Sequence, residues 1–129
     1  MKSWKFSLST ADDAPPEAPI LLYGDVCGNL REAAALGYDA IEIHTRETAL
    51  LDYQAIEETA GECGTRVSAV VTGRLNTEGR GNLVDDAPYV TGSTMDGMKA
   101  YIDMAERLGA DIVVGWVKGN VPKGGKREK

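Results

Sequence analysis

An α/β fold with a parallel sheet is predicted by one phrase that recurs three times: a helix end, a glycine and a short apolar strand. The junctions are Leu36-Gly37-Tyr38-Asp39-Ala40-Ile41, Cys63-Gly64-Thr65-Arg66-Val67-Ser68 and Leu108-Gly109-Ala110-Asp111-Ile112-Val113. Their glycines lie 27 and 45 residues apart, and the excess of 18 is close to the length of a glycine-rich stretch after the third predicted strand. Strands that alternate with helices imply parallel pairing through right-handed crossovers. The pattern is β-α-β-α-β-α-β in a single domain over residues 1–129. That is somewhat less than half of a closed (β/α)8 barrel, and one strand short of a flavodoxin-type sheet. Both architectures leave the chain ending on a loop where a helix is due, so the pattern predicts a truncated fold.

Residues 4–9 alternate Trp, Phe and Leu with Lys and Ser, a first strand. Residues 10–24 carry Pro15, Pro16 and Pro19 and read as a loop. The first helix spans 25–36, with Val26, Leu30, Ala33 and Ala34 on one stripe, and Gly37 stops it with a left-handed cap. The second strand, 39–44, places Ile41 and Ile43 on one face and Ala40, Glu42 and His44 on the other. In a parallel barrel the bulky face meets the outer helices and the polar face points inward near the mouth. Asp52 is the expected N-cap of a second helix with the stripe Tyr53, Ile56, Ala60 and Cys63, closed by Gly64. The third strand is 66–72, rich in valine. A loop over 73–92 follows, longer than ordinary connections and of the kind that carries function. Ser93-Thr94-Met95-Asp96 fits a capping box opening a third helix, with Met95, Met98, Ile102, Ala105 and Leu108 as its buried stripe. The fourth strand is 111–117, and a glycine-rich, basic tail reads as a loop.

The 129 residues are 43% hydrophobic and 26% charged, a soluble globular composition, with net charge −6. The last twelve residues hold five basic side chains against Glu128, so the remaining 117 carry 9 basic and 19 acidic groups. An acidic body argues against nucleic acid as a partner. Cys27 and Cys63 lack metal-ligand spacing and read as reduced thiols. No segment has the run of about 20 apolar residues that crosses a bilayer, nor a signal-peptide core, so a cytoplasmic protein without membrane contact is expected.

The pieces KFSLST, LGYDAIEIHTRE, VSAVVTGRLNTEG and YIDMAERLGADIVVGWVKG together resemble the N-terminal part of the xylose isomerase-like TIM-barrel superfamily of sugar and sugar-phosphate isomerases and epimerases. Thr72-Gly73 and Val117-Lys118-Gly119 are most similar to its keto-uronate epimerase branch. The resemblance implies a parallel (βα)3β portion of a (β/α)8 barrel. It also implies a divalent-metal enzyme, often with manganese, that moves a proton next to the carbonyl of a ketose or keto-acid. Two carboxylates would carry the proton and the metal would stabilise the enediolate. In the family the metal ligands come from later strands, beyond residue 129, so no residue here inherits a metal or catalytic role.

What the resemblance leaves to this chain is a substrate mouth at the C-terminal strand ends: His44, Arg46, Thr72, Gly73, Arg74 and Lys118. His44, the sole histidine, reads as a partner of a sugar hydroxyl or as a solvated strand end. Arg46 suits a carboxylate or phosphate, or else pairs with Glu47 or Glu42. Glu42 reads as a structural carboxylate holding a neighbouring strand. Gly73 permits close backbone approach, and Lys118 suits an anionic group. Asn76, Glu78 and Asn82 are polar loop residues without a fixed place. The partner expected is a small sugar or keto-acid, and a homo-oligomer is compatible with it.

Other classes fit less well. A phosphorelay receiver has acids after its first strand, as Asp12 and Asp13 are, but needs an aspartate where Thr72 stands. No GxGxxG or GxxxxGK[ST] spacing supports a nucleotide cradle. An abasic-site endonuclease needs several histidines, and a dehydratase on the same barrel is not separable by sequence. The non-enzymatic alternative is an inert half-barrel or partner-dependent module, whose exposed edges, the first and fourth strands, predict self-association.

Overall fold

The computed structural model describes residues 3–75, 81–84, 88–115 and 117, apart from the side chain of Tyr89. Five parallel strands and three α-helices follow one another as β1 (Ser7–Ala11), β2 (Leu22–Tyr23), α1 (Val26–Ala35), β3 (Ala40–His44), α2 (Tyr53–Cys63), β4 (Arg66–Val71), α3 (Pro88–Leu108) and β5 (Asp111–Val113). The sheet order is β2-β1-β3-β4-β5. Apart from β2, spatial order equals chain order, so each crossover steps in the same direction and all three helices land on one face. A single apolar cluster records this: Val26, Leu30 and Ala33 of α1, Ile56 of α2, and Tyr101, Met104 and Ala105 of α3 surround Ile41, Ile43, Val67 and Val70.

The opposite face is polar and hydrogen-bonded. Ser9 Oγ on β1 donates to Glu42 Oε2 on β3 at 2.8 Å, so Glu42 does hold a neighbouring strand. The β3–β4 register shifts between Ile41 and Glu42, which leaves Ser68 as an extra residue. Ser68 Oγ donates to the Ile41 carbonyl at 3.1 Å and meets Ser7 Oγ at 2.7 Å. Ser7 and Ser68 stand on strands with β3 between them, about 9.5 Å apart in a flat sheet. Their contact means that the sheet curls, concave towards its open face.

Local chemistry explains the helix ends. Asp25 accepts from Gly28 N at 2.7 Å and Asp52 from Ala55 N at 3.0 Å, two side-chain N-caps. Gly37, Gly64 and Gly109 have φ of 88°, 71° and 60°, the left-handed stops the repeated phrase predicts.

Five expectations are corrected. The first strand is Ser7–Ala11, later than 4–9: the Asp39 carboxylate takes Phe6 N, Phe6 meets the start of β3 only through its carbonyl, which accepts from Ala40 N at 3.2 Å, and Trp4 and Phe6 are 85% and 64% exposed. The expected loop 10–24 contains β2, which covers Thr10 and Ala11, so the sheet's edges are β2 and β5. α3 begins at Pro88, a residue suited to the first helical position, rather than at Ser93. Ser93 Oγ and Thr94 Oγ1 instead donate back to the Val90 carbonyl from inside the helix, at 3.0 and 2.7 Å. The buried stripe of α3 is Thr94, Tyr101, Met104 and Ala105, while Met95 and Ile102 are 46% and 52% exposed. Burial there follows hydrogen-bonding capacity, since Tyr101 OH donates to the Thr45 carbonyl. The last strand ends at Val113, because Gly115 N turns away to the side chain of Thr72 at 3.0 Å.

Candidate functional site

Parallel strands end together, so residues just past β1, β3 and β4 share one rim. Asp12 follows β1, and its N–H extends the ladder by one bond, to the His44 carbonyl at 3.1 Å. Its side chain then binds the other two strand ends. Oδ2 accepts from Arg46 N at 2.8 Å and from Thr45 Oγ1 at 3.4 Å. Oδ1 accepts from Asp13 N at 2.9 Å and from Arg74 Nη2 at 2.9 Å. Arg74 also donates to the Asp13 carbonyl at 3.0 Å and to the Asp13 carboxylate. Arg46 Nη2 stands 3.2 Å from Asp13 Oδ1. Two carboxylates and two guanidiniums from three strands therefore form one charge-balanced cluster.

Arg74 is held from behind. It sits in the 3₁₀ turn Thr72–Leu75 that follows β4. Leu75 packs on α3 at Gly97, where a Cβ would stand 2.6 Å from Leu75 Cδ2. A glycine inside a helix costs stability, and here it gives the turn room to seat. Tyr101 of α3 completes the support through Thr45.

The electrostatics follow from this packing. Partial burial pushes the Asp12 carboxyl up, but the Arg46 and Asp13 N–H groups and the Arg74 guanidinium outweigh it and hold it below the usual value. Burial lowers the His44 imidazole, with Glu42 and Asp12 opposing and Arg74 assisting, so His44 is neutral at pH 7. Burial, helped by the Asp12 charge, raises the Tyr101 phenol to about 12.

Of the residues expected at a substrate mouth, His44, Arg46 and Arg74 share this rim. Thr72 is fully buried, and its hydroxyl both accepts from Gly115 N and donates to Gly115 O at 3.3 Å. Gly73 has open space where a Cβ would point. Lys118 lies outside the described residues, as do Asn76 and Glu78. Asn82 binds Thr94 through its backbone, its N–H donating to Thr94 Oγ1 at 2.8 Å, and caps Val84 N with its own side chain.

Asp12 and Asp13 organise the rim, and sequence reasoning considered them only as receiver acids. Their signal is an acidic pair directly after the first strand of a parallel sheet. Among the described residues, no three His, Cys, Asp or Glu side chains are grouped to hold a metal ion. A neutral imidazole and a partly exposed carboxylate–guanidinium pair can donate to and accept from hydroxyls. With each cation already facing an anion, the rim has little excess charge for a phosphate.

The chain matches no protein-family model and no curated protein. None of the helices is long and apolar enough to cross a membrane, among the described residues.

Proposed function

We propose that this chain is the N-terminal (βα)3β portion of a sugar isomerase or epimerase barrel of the xylose isomerase-like kind, and that its rim binds the hydroxyl groups of a ketose or keto-acid. One observation carries the reading: a concave polar sheet face that opens onto Asp13, His44, Arg46 and Arg74 at the C-terminal strand ends. That is where barrel enzymes of this class place their substrates. In the proposal His44, kept neutral, exchanges hydrogen bonds with a hydroxyl. Asp13 accepts from a second hydroxyl, and Arg46 donates to the substrate from its place beside Asp13. Asp12 touches no substrate and holds the other three in register. The charge balance favours hydroxyl-rich over phosphorylated substrates.

A divalent ion, manganese or similar, belongs to the resemblance and supplies carbonyl polarisation when bound. The described residues form no group suited to hold it, and the roles proposed for His44, Asp13 and Arg46 are binding roles that do not pass through it.

The sole histidine gives the test a single unambiguous resonance. Titration of the chain with D-fructose and with a keto-uronate should shift the His44 Cε1–H signal saturably, with Kd of about 1 mM, the weak affinity of a partial site. The Arg46→Gln variant should weaken the shift. A His44 resonance that neither ligand moves would falsify the sugar-mouth reading.

The partner-dependent reading has its own support in the outer edge of β5, which pairs with no further strand among the described residues and where Val113 and Val114 are 45% and 58% exposed. Sedimentation decides it: concentration-dependent association supports a half that pairs, and a clean monomer across the range removes it.

A further inference from the structure

The N-terminal ends of the strands, opposite the rim, carry a second surface. Trp4 is 85% exposed, more than any other large apolar side chain among the described residues, and Phe6 is 64% exposed. Beside them lies a groove of about 740 Å³, between the segment before β1 and the C-terminal end of α2. Its lining includes Phe6, Ala60, Gly61, Gly64, Arg66 and Ser68.

The groove suits an aromatic ring. Ala60, Gly61 and Gly64 put almost no side chain into it, so a flat ring can approach the backbone. At Gly61 nothing lies within 4 Å of where a Cβ would stand. The Arg66 guanidinium has no hydrogen bond or ion pair among the described residues. Such a cation is attracted to an aromatic face, and most strongly to that of tryptophan. Asp39, also in the lining, offers a carboxylate oxygen to an indole N–H.

Trp4 is such a ring, and its exposure shows that it does not fill the groove of its own chain. Ring and groove are neighbours on one surface, because Lys5 and Phe6, which directly follow Trp4, line the groove. A two-fold axis passing between them places each Trp4 at the groove of the other copy, the self-complementary patch that a closed dimer needs. The area agrees. Aromatic side chains bury about 150–250 Å² each, so at these exposures Trp4 and Phe6 offer about 300 Å² per copy. With the walls they meet, two copies bury about 1,200 Å², the lower end for specific interfaces.

We infer that this chain forms a two-fold dimer through the N-terminal ends of its strands, with Trp4 of each copy seated in the groove of the other against Arg66. The contact does not rest on the proposed mouth, which it leaves open at the other end of the sheet, and the outer edge of β5 takes no part in it.

Sedimentation velocity of the full chain tests this. The parent should pass from monomer to dimer with Kd of about 10 µM, in keeping with a small interface, and stop there. Trp4→Ser removes an exposed side chain and should leave a folded monomer. Gly61→Leu should also give a monomer by filling the groove, since the position has open space and leucine is favoured over glycine in a helix. Arg66→Gln should weaken the dimer about tenfold, because two cation–π contacts are lost per dimer. A parent still monomeric at about 500 µM, where such a dimer is nearly complete, overturns the proposal. So does a mass that climbs past the dimer, or a dimer unchanged in Trp4→Ser or Gly61→Leu, which places the association at another face. In the unmodified protein, a mixture of isotope-labelled and unlabelled copies should show intermolecular NOEs from the Trp4 indole to the Gly61 Hα protons. A dimer without them overturns the proposal even if a variant does not fold. The His44 signal of monomeric Trp4→Ser should still respond to the sugar ligands, so the mouth and the dimer can fail separately.

Discussion

Two aspartates close the β1–β3 pair at opposite ends, and they do so by the same device. At the C-terminal end Asp12 follows β1 and takes the backbone N–H of Arg46 beyond β3. At the N-terminal end Asp39 precedes β3 and takes the backbone N–H of Phe6 before β1 at 2.9 Å. Each also faces a cation. Asp39 meets Lys5 at 3.1 Å, with the lysine side chain 76% exposed, whereas Asp12 meets Arg74, only 13% exposed, at 2.9 Å. Both carboxyls are held below their usual value, Asp39 by the Phe6 N–H first and then by Lys5. What differs is the surroundings. The Asp39 pair joins two strands in water, and the Asp12 cluster joins three strands and, through Thr45 and Tyr101, a helix. One end is a clasp; the other is a platform on which a site can be built.

The largest effect is therefore expected from Asp12→Ala. It strips acceptors from two backbone N–H groups and leaves the mostly buried Arg74 with one carboxylate fewer. Losing hydrogen bonds to a partly buried charged group costs about 2 kcal/mol, to be read from urea unfolding midpoints. If Asp12→Ala costs no more than Asp39→Ala, the platform is only a second clasp. Next comes Tyr101→Phe, which orphans the Thr45 carbonyl and should cost about 1–2 kcal/mol. The phenol adds a pH signature, because it ionises at about 12 when folded but near 10 when unfolded. Its stabilisation is complete below pH 10 and declines as pH rises towards 12. Tyr101→Phe should flatten that alkaline decline in thermal melts, and an unchanged decline would place its origin elsewhere.

His44 gives a smaller effect of opposite sense. Its pKa is lowered in the folded state, so the unfolded chain binds more protons below pH 6.5. Stability from the neutral imidazole is whole above 6.5 and is lost as pH falls through the folded value. Replacement by glutamine should remove the part of the acid slope between 6.5 and the carboxylate range. An identical slope in His44→Gln would show that His44 is solvated and not seated on the platform.

How much of this was legible in the sequence follows from the range of the interactions. The bounds of α1 and α2 could be read because Asp25, Asp52, Gly37 and Gly64 act on residues within one turn of themselves. The two faces of β3 could be read because alternation is local too. The start of α3 was misread, since Ser93 and Thr94 look like caps but bond backwards within the helix. Its phase was misread because Tyr101 and Thr94 are buried with their polar groups satisfied, at the expense of Met95 and Ile102. β2 is two residues long and has no period to detect. The rim shows the limit most clearly. His44, Arg46 and Arg74 could be placed at strand ends, but Asp12 reaches Arg74 across 62 residues of chain, and no local spacing encodes that contact.

The smallest effect tests the comparison most directly. Lys5→Ala removes the cation from the exposed clasp while Asp39 keeps the Phe6 N–H, so little stability should be lost. That little should vanish in salt, because raising ionic strength from 0.15 M to 1 M shortens the screening length from about 8 Å to about 3 Å. Desolvated contacts are screened far less, so the cost of Asp12→Ala should be nearly the same in both salts. Urea midpoints of the two variants and the parent, at both ionic strengths, separate the ends by mechanism and not only by size. Should the Asp12→Ala penalty shrink with salt in proportion to that of Lys5→Ala, the C-terminal cluster is a surface ion pair like the other. The rim would then lack the rigidity that positioning His44 and Arg46 against a substrate requires.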